Sequence, residues 1–266
     1  MPMSGKMLLL SGEGQIPLLV YQRAARTGEV LVLSSPFLRP ESALPVHFWC
    51  SPLSIGTIVR LARAHEVQKV CLAGKVPKNL LFQEGFLSPD AEHAYPSFGD
   101  KNIITGVMEH LAREGLEIVS PLAFLREHLT PSGTLVGNPP NPREWSDITL
   151  GFRVARFLAD AEIGQTVVVQ RGTVLALEGA EGTDETIKRG LGLGRGGIVV
   201  KVARSRQDFF VDVPVIGLQT VELVGRCGGK ILAVESDKTL FLDRQEALAR
   251  ADLYSLSIVG IECQDG

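Results

Sequence analysis

Short apolar runs alternate with amphipathic stretches through the first half of the chain. Lys6–Ser11 is apolar and is closed by Gly12-Glu13-Gly14. Pro17 behind it suits the first turn of a helix, with Leu18, Leu19, Ala24 and Ala25 on its apolar face. Val30–Leu33 reads as a second strand. Ser54 is placed to cap a helix to about Ala64, with Ile55, Ile58, Val59 and Ala62 on one side. Val70–Ala73, ended by Gly74, reads as a third strand. Asp100 precedes a helix carrying Ile103, Ile104, Val107, Met108 and Leu111, and Leu116–Val119 is the next strand. Strands separated by helices predict an α/β, Rossmann-like domain with a mostly parallel sheet.

The pattern changes at Gly133-Thr-Leu-Val-Gly137-Asn-Pro139-Pro140-Asn-Pro142, whose prolines cannot continue a helix or a central strand. This predicts an N-terminal domain over 1–132, a linker over 133–145 and a C-terminal domain over 146–266. A helix is expected near Ser146–Ala161. Thr166–Gln170 and Val174–Leu177 flank Arg171-Gly172-Thr173 as a tight hairpin. A short helix after Thr183, a strand at Ile198–Val202 and an extended Phe209–Val213 follow. Next come a helix ending near Gly228 and two hairpin-like strands, Ile231–Val234 and Thr239–Leu242. A helix at Arg244–Ala251 and a final strand at Ser257–Ile261 complete an α+β domain with a mixed sheet. The glycine run Gly190–Gly197 follows a helix and leads into a strand, the wrong order for a nucleotide loop, and reads as a mobile connection or flap.

Composition narrows the function classes. With 266 residues, 45% hydrophobic and 21% charged, the chain can bury one large core or two smaller ones. A net charge of -3 and the lack of a dense Lys/Arg block argue against nucleic acid as a partner. The cysteines, Cys50, Cys71, Cys227 and Cys263, have no CxxC spacing and read as buried thiols in a reducing compartment. The short N-terminus and the absence of an 18-residue apolar run point to a cytoplasmic protein. The histidines form no HExxH or HxH pattern, which disfavours zinc.

Several stretches could carry chemistry. Gly12-x-Gly14-x-x-Pro17 lies at a strand-to-helix turn, where it either holds a phosphate or simply needs glycines to turn. It is not the dinucleotide fingerprint, because Pro17 takes the third glycine's place. Gly74-Lys75 also leaves a strand's carboxyl end, as a phosphate contact or as a solvated loop. The turn Glu178-Gly-Ala-Glu181-Gly-Thr183-Asp184-Glu185 gathers four acids at a helix start. Capping by Thr183 and the helix dipole account for Asp184 and Glu185 but not for Glu178 or Glu181, for which a hard divalent cation is the other reading. Asp212 stands between apolar residues and before Val213-Pro214, with Lys201, Gln207 and Asp208 near in sequence as partners.

Six stretches in order resemble the LpxI family of UDP-2,3-diacylglucosamine diphosphatases. They are Gly12-x-Gly14-x-x-Pro17, Ala73-Gly74-Lys75-Val76, Gly99-Asp100, Gly164-Gln165-x-Val167-Val168-Val169, Glu178-x-x-Glu181-Gly182-Thr183-Asp184 and Asp212-x-Pro214-x-x-Gly217. The resemblance implies two α/β domains with substrate bound between them. It also implies Mg2+-assisted attack of water on the α-phosphorus, with Mn2+ as a second candidate ion. The products would be UMP and 2,3-diacylglucosamine 1-phosphate (lipid X), in lipid A biosynthesis. The family's essential aspartate falls on Asp212. On this reading Asp212, Asp184 and Glu181 are catalytic, and Asp212, Glu178 and Asp184 hold the metal. Gly12, Gly14, Gly74, Lys75, Asp100, Gln165, Thr183, Lys201 and Gln207 contact substrate. Peripheral contact with the inner membrane and a homodimer are further expectations. The contrasting reading is a non-catalytic regulator that binds a nucleotide sugar or a lipid.

Overall fold

The computed structural model describes residues 5–51, 54–77, 80, 100–205 and 213–262, with only the backbone of 100–103. The chain divides into two compact units, the first ending at Arg126 and the second beginning at Glu127.

In the first unit, β1 (Lys6–Ser11), α1 (Ile16–Ala24), β2 (Val30–Ser34), β3 (Phe48–Trp49), α2 (Ile55–Ala64), β4 (Val67–Ala73), α3 (Asp100–Arg113), β5 (Glu117–Ile118) and α4 (Leu122–Leu125) follow in sequence. The strands form one parallel sheet in the order β3-β2-β1-β4-β5. Its central strands are continuous apolar runs because both faces are covered: Met7 to Leu10 and Val30 to Leu33 are all buried. Leu8, Leu10, Leu33 and Val70 pack with Ile58 of α2 and Leu111 of α3. The chain builds outward from β1 through β2 to β3 and then returns to place β4 on the other side of β1, which makes the carboxyl ends of β1 and β4 the switch point of the sheet. Cys71 lies there fully buried, and burial pushes its thiol well above the ordinary range. Cys50 and Cys227 are only half-buried, and Cys263 lies outside the described residues.

In the second unit, β6 (Gly133–Val136), α5 (Pro142–Asp160), β7 (Thr166–Gln170), β8 (Thr173–Leu177), α6 (Thr183–Leu193), β9 (Ile198–Lys201), β10 (Val215–Ile216), α7 (Leu218–Arg226), β11 (Ile231–Glu235), β12 (Leu240–Phe241), α8 (Arg244–Leu253) and β13 (Ser257–Ile261) follow. The large sheet runs β6-β13-β11-β9-β7-β8. In it β9, β11 and β13 are parallel, while β6 and β7 run against their neighbours, so it is mixed as expected. Ile148, Ala155 and Leu158 of α5 cover one face. Ile187 and Leu191 of α6, Val221 and Val224 of α7, and Ala247 and Ala251 of α8 cover the other.

The structure corrects four expectations. Gly133–Val136, read as linker because of the prolines after it, is an edge strand paired antiparallel with β13. The helix expected from Ser146 starts at Pro142, where Asn141 and Glu144 form a capping box. Ile231–Glu235 and Leu240–Phe241 are not a hairpin: β12 pairs in parallel with β10 in a separate two-stranded sheet. The Gly190–Gly197 run is not a flap. Gly190 is a turn of α6 pressed on Val168, where a Cβ would come within 2.6 Å of the valine side chain. The rest is tied by Gln170 Nε2 to the Arg195 carbonyl (2.6 Å) and by the Gly196 N–H to the Gly228 carbonyl (2.8 Å).

Candidate active site

At the switch point of the first sheet, the Gly12–Gly14 turn and the Gly74–Lys75 turn lock onto each other. The Gly12 N–H donates to the Ala73 carbonyl (2.8 Å), the Glu13 N–H to Lys75 O (2.8 Å) and the Lys75 N–H to Glu13 O (3.0 Å). A Cβ on Gly12 would meet Lys75 O at 2.7 Å. One on Gly74 would meet Glu13 O and Pro17 Cγ, both at 2.7 Å, and Gly74 has φ +92°. These two glycines are therefore required by the approach of one backbone to another, and the N–H groups of Gly12 and Glu13 are already committed. Gly14 differs: it has φ +88° and nothing within 4 Å of its absent Cβ, so its positive φ and not crowding favours glycine there, and its backbone bridges in parallel to Pro40 just before α1. Asp100 is the first residue of α3, and its side chain lies outside the described atoms.

A second constellation forms at one end of the large sheet, where β8 and β9 finish and β7 begins. Thr166, buried, opens β7 directly opposite Lys201, the last residue of β9. Lys201 is itself 7% exposed, and its ammonium donates to the Val215 carbonyl at 3.0 Å. Glu178 follows β8 and is buried. Its carboxylate accepts the Gln165 N–H (3.2 Å) and the Thr183 hydroxyl (3.0 Å). Thr183 Oγ1 also lies 3.4 Å from Thr166 Oγ1. One strand along, Glu235 is fully buried at the end of β11, where it accepts from Arg156 (2.7 Å), Lys238 (3.0 Å) and the Ala203 N–H (2.8 Å). Arg156 also donates to the Ala203 carbonyl. These contacts fix the chain as it leaves β9. Carboxyl ends of parallel strands are where open α/β sheets gather ligands.

The acidic turn does not converge on one point. Thr183 is the first residue of α6 and not its cap: Gly182, with φ +84°, holds the cap position, and the Thr183 hydroxyl goes to Glu178. Glu181 faces Arg189 at 2.6 Å and accepts from Thr186 at 3.3 Å. Its own backbone N–H and the Arg189 guanidinium hold its carboxyl below the usual range. Glu185 pairs with Lys188 at 2.6 Å. Asp184 is exposed at the helix start. Among the described residues, no group of three or more His, Cys, Asp or Glu side chains could hold a metal ion. Asp212 and Gln207, like the whole expected extended segment Phe209–Val213 except its last residue, lie outside the described residues; Val215 is the acceptor of Lys201.

The structure thus brings together Gln165, Glu178, Thr183 and Lys201 in the second unit, and Gly12, Gly14, Gly74 and Lys75 in the first. It adds Thr166, Arg156, Arg189 and Glu235, which the sequence reading did not single out. Glu235 had a visible signal, an acid ending the apolar run Ile231-Leu-Ala-Val. Thr166 and Arg189 had none, since only pairing across strands and from helix to turn gives them partners.

Comparison with known proteins agrees with this division of the chain. A family model for the LpxI N-terminal domain matches residues 6–128, and one for the LpxI C-terminal domain matches residues 131–259. The UDP-2,3-diacylglucosamine pyrophosphatase LpxI of Caulobacter vibrioides is 31% identical over 227 residues, covering 79% of this chain and 80% of that protein. Among solved structures, an L-threonine dehydrogenase from Phytophthora infestans aligns with a TM-score of 0.27 at 19% identity over 52% of this chain and 39% of that one. CobK precorrin-6A reductase aligns with a TM-score of 0.30 at 10% identity over 97% of this chain and 88% of that one. Neither score is high enough to bear an argument. The domain models together span nearly the whole chain, in order and on the two halves of the fold, and the chain belongs to the LpxI family.

Proposed function

We propose that this chain hydrolyses UDP-2,3-diacylglucosamine, cleaving its pyrophosphate to UMP and 2,3-diacylglucosamine 1-phosphate in lipid A biosynthesis. The name of the Caulobacter relative and the family models support the substrate and the reaction class. The structural observation that carries the reading is the end of the large sheet, where the buried Lys201 ammonium is held at the Val215 carbonyl, three residues beyond Asp212 in sequence. A fixed cation there offsets the charge of a pyrophosphate without reorganising during the reaction.

In this mechanism Asp212 orients and deprotonates a water. The water oxygen bonds to the α-phosphorus as the bond from that phosphorus to the bridging oxygen breaks, and the leaving sugar 1-phosphate carries away the bridging oxygen. Lys201 offsets phosphate charge. Gln165, Thr183 and Gln207 contact the substrate. Mg2+, or Mn2+ in its place, would neutralise the pyrophosphate and polarise the phosphoryl oxygen. Glu181 and Glu185 fit that ion poorly, because each already faces a cation at 2.6 Å. Asp184, exposed at the start of α6, is not so engaged by a cation at that distance and fits better, with Asp212 as the second carboxylate of the sequence reading, since Mg2+ is commonly held by one or two carboxylates together with substrate phosphates. The two acyl chains of the substrate place the enzyme at the cytoplasmic face of the inner membrane as a peripheral protein. Among the described residues no helix is long and apolar enough to cross a membrane.

The test is Asp212→Ala, checked for folding, with UMP release followed with and without EDTA. Loss of UMP release of at least about 100-fold in the variant is expected, as is loss in the wild type with EDTA. Full activity of the variant removes Asp212 from the mechanism, and full activity in EDTA removes the metal. A wild-type protein that binds 2,3-diacylglucosamine 1-phosphate but releases no UMP is a regulator and not a hydrolase.

A further inference from the structure

Three elements meet at Glu178. Its N–H donates to the Thr166 carbonyl at 3.0 Å, which extends the β7–β8 pairing by one residue. One carboxylate oxygen accepts the Gln165 N–H from the start of β7, and the other accepts the Thr183 hydroxyl from the first residue of α6. Gly164 packs so closely beneath it that a Cβ there would overlap the Glu178 carbonyl. The carboxylate is therefore held in place and ties the beginnings of β7 and α6 to the end of β8.

This tie determines what its neighbours present. The Gln165 carbonyl accepts the Val202 N–H at 3.1 Å, so with its N–H on Glu178 both backbone polar groups of Gln165 are committed and its side chain projects from a fixed point. A threonine hydroxyl has one proton and two lone pairs. The Thr183 proton goes to Glu178, and Thr166, at 3.4 Å, is placed to donate to one Thr183 lone pair. What Thr183 then offers a ligand is a lone pair, which is an acceptor for a hydroxyl or a water.

We propose that Glu178 is a positioning residue that makes Thr183 an obligate acceptor and fixes Gln165 for the substrate. It acts neither as the general base nor as a metal ligand. The inference rests on the hydrolase reading above. Glutamine at 178 has a single acceptor oxygen. Its amide must either face the Gln165 N–H, donor against donor, or donate to Thr183 and reverse that hydroxyl.

The experiment compares Glu178→Gln, Thr183→Val, Thr183→Ser and the double variant E178Q/T183V by UMP release from UDP-2,3-diacylglucosamine over a Mg2+ series, with thermal melts as the folding control. E178Q and T183V should each lower kcat by about 10- to 100-fold and change KM by less than about threefold. T183S should keep most of the activity. The double variant should fall well short of the product of the two single effects, because both changes remove the Glu178–Thr183 interaction and only the hold on Gln165 is lost in addition. Wild-type rates in a folded E178Q, effects that multiply in the double variant, or recovery of E178Q at raised Mg2+ would each overturn the proposal, the last by making Glu178 a metal ligand. If E178Q does not fold, the threonine pair decides, and a T183V that works at the wild-type rate overturns it. A wild type that releases no UMP overturns the hydrolase reading and this inference with it, an outcome distinct from an active wild type with an active E178Q.

Discussion

Gly12, Gly14 and Gly74 look alike in sequence, yet the structure asks different things of them. At Gly74 a side chain meets two atoms at 2.7 Å and the backbone is at φ +92°, whereas at Gly14 only the positive φ is unfavourable. Gly74→Ala should therefore cost about 1–3 kcal/mol of stability, and Gly14→Ala about 1 kcal/mol, as measured by urea unfolding. Equal costs would mean that the two turns do not press on each other. Asp160, the last residue of α5, titrates in a way that can be followed. Its partial burial pushes the carboxyl up, but the Ser205 hydroxyl and N–H, both at 2.7 Å, together with Arg156 and Arg204, pull it lower overall. A carboxyl lowered by folding stabilises the native state above its unfolded pKa, and that stabilisation is lost as pH falls through the folded value. Asp160→Asn should therefore be less stable than wild type near neutral pH. The difference should close as the pH drops below the ordinary aspartate range, as read from unfolding midpoints across a pH series.

Among the elements, α5 shows how local signals and packing combine. Asn141 accepts the N–H groups of Arg143 (3.0 Å) and Glu144 (3.1 Å), and the Glu144 carboxylate returns to the Asn141 N–H at 2.8 Å. Asn141→Ala should cost about 1 kcal/mol, measured by chemical denaturation; no loss would show that packing alone holds the helix start. The turn between β7 and β8 was readable because Arg171 and Gly172, at φ 49° and 73°, fit the left-handed pair a two-residue hairpin needs. The pairing of Leu240–Phe241 was not readable. Two apolar runs close in sequence suggest a hairpin, but β11 is held between β9 and β13 by parallel pairing with strands about 25 to 35 residues away in sequence. Its sequence neighbour is left to join β10. The Asn-Pro-Pro-Asn-Pro stretch misled for a related reason: prolines mark where regular structure stops, and here they lie just after an edge strand.

At the scale of the molecule, each unit has its own core, one around Leu8, Ile58 and Leu111 and the other around Val199, Val234 and Ile258. Leu8 is fully buried, so Leu8→Ala should cost the first unit about 2–5 kcal/mol. Amide exchange should then quicken in β1, β2 and β4 while β9 and β11 keep their wild-type protection. Uniform acceleration through both sheets would show that the two cores unfold as one.

Periodicity and turn chemistry determined the α/β class, β1, β7 and β13 to the residue, and the location of the glycine turns and the acidic turn, because these depend on side chains a few positions apart. The ordered motifs also carried the family. Neighbours distant in sequence were decided only by the tertiary structure. Sheet pairing sets Thr166 opposite Lys201. The approach of α6 to the end of β8 gives Glu178 the Thr183 hydroxyl and gives Glu181 the Arg189 guanidinium. Four acids within one short stretch look like one site in sequence. In the fold they part company because a turn and the first residues of a helix point successive side chains in different directions, and each carboxylate takes the donor that packing places nearest.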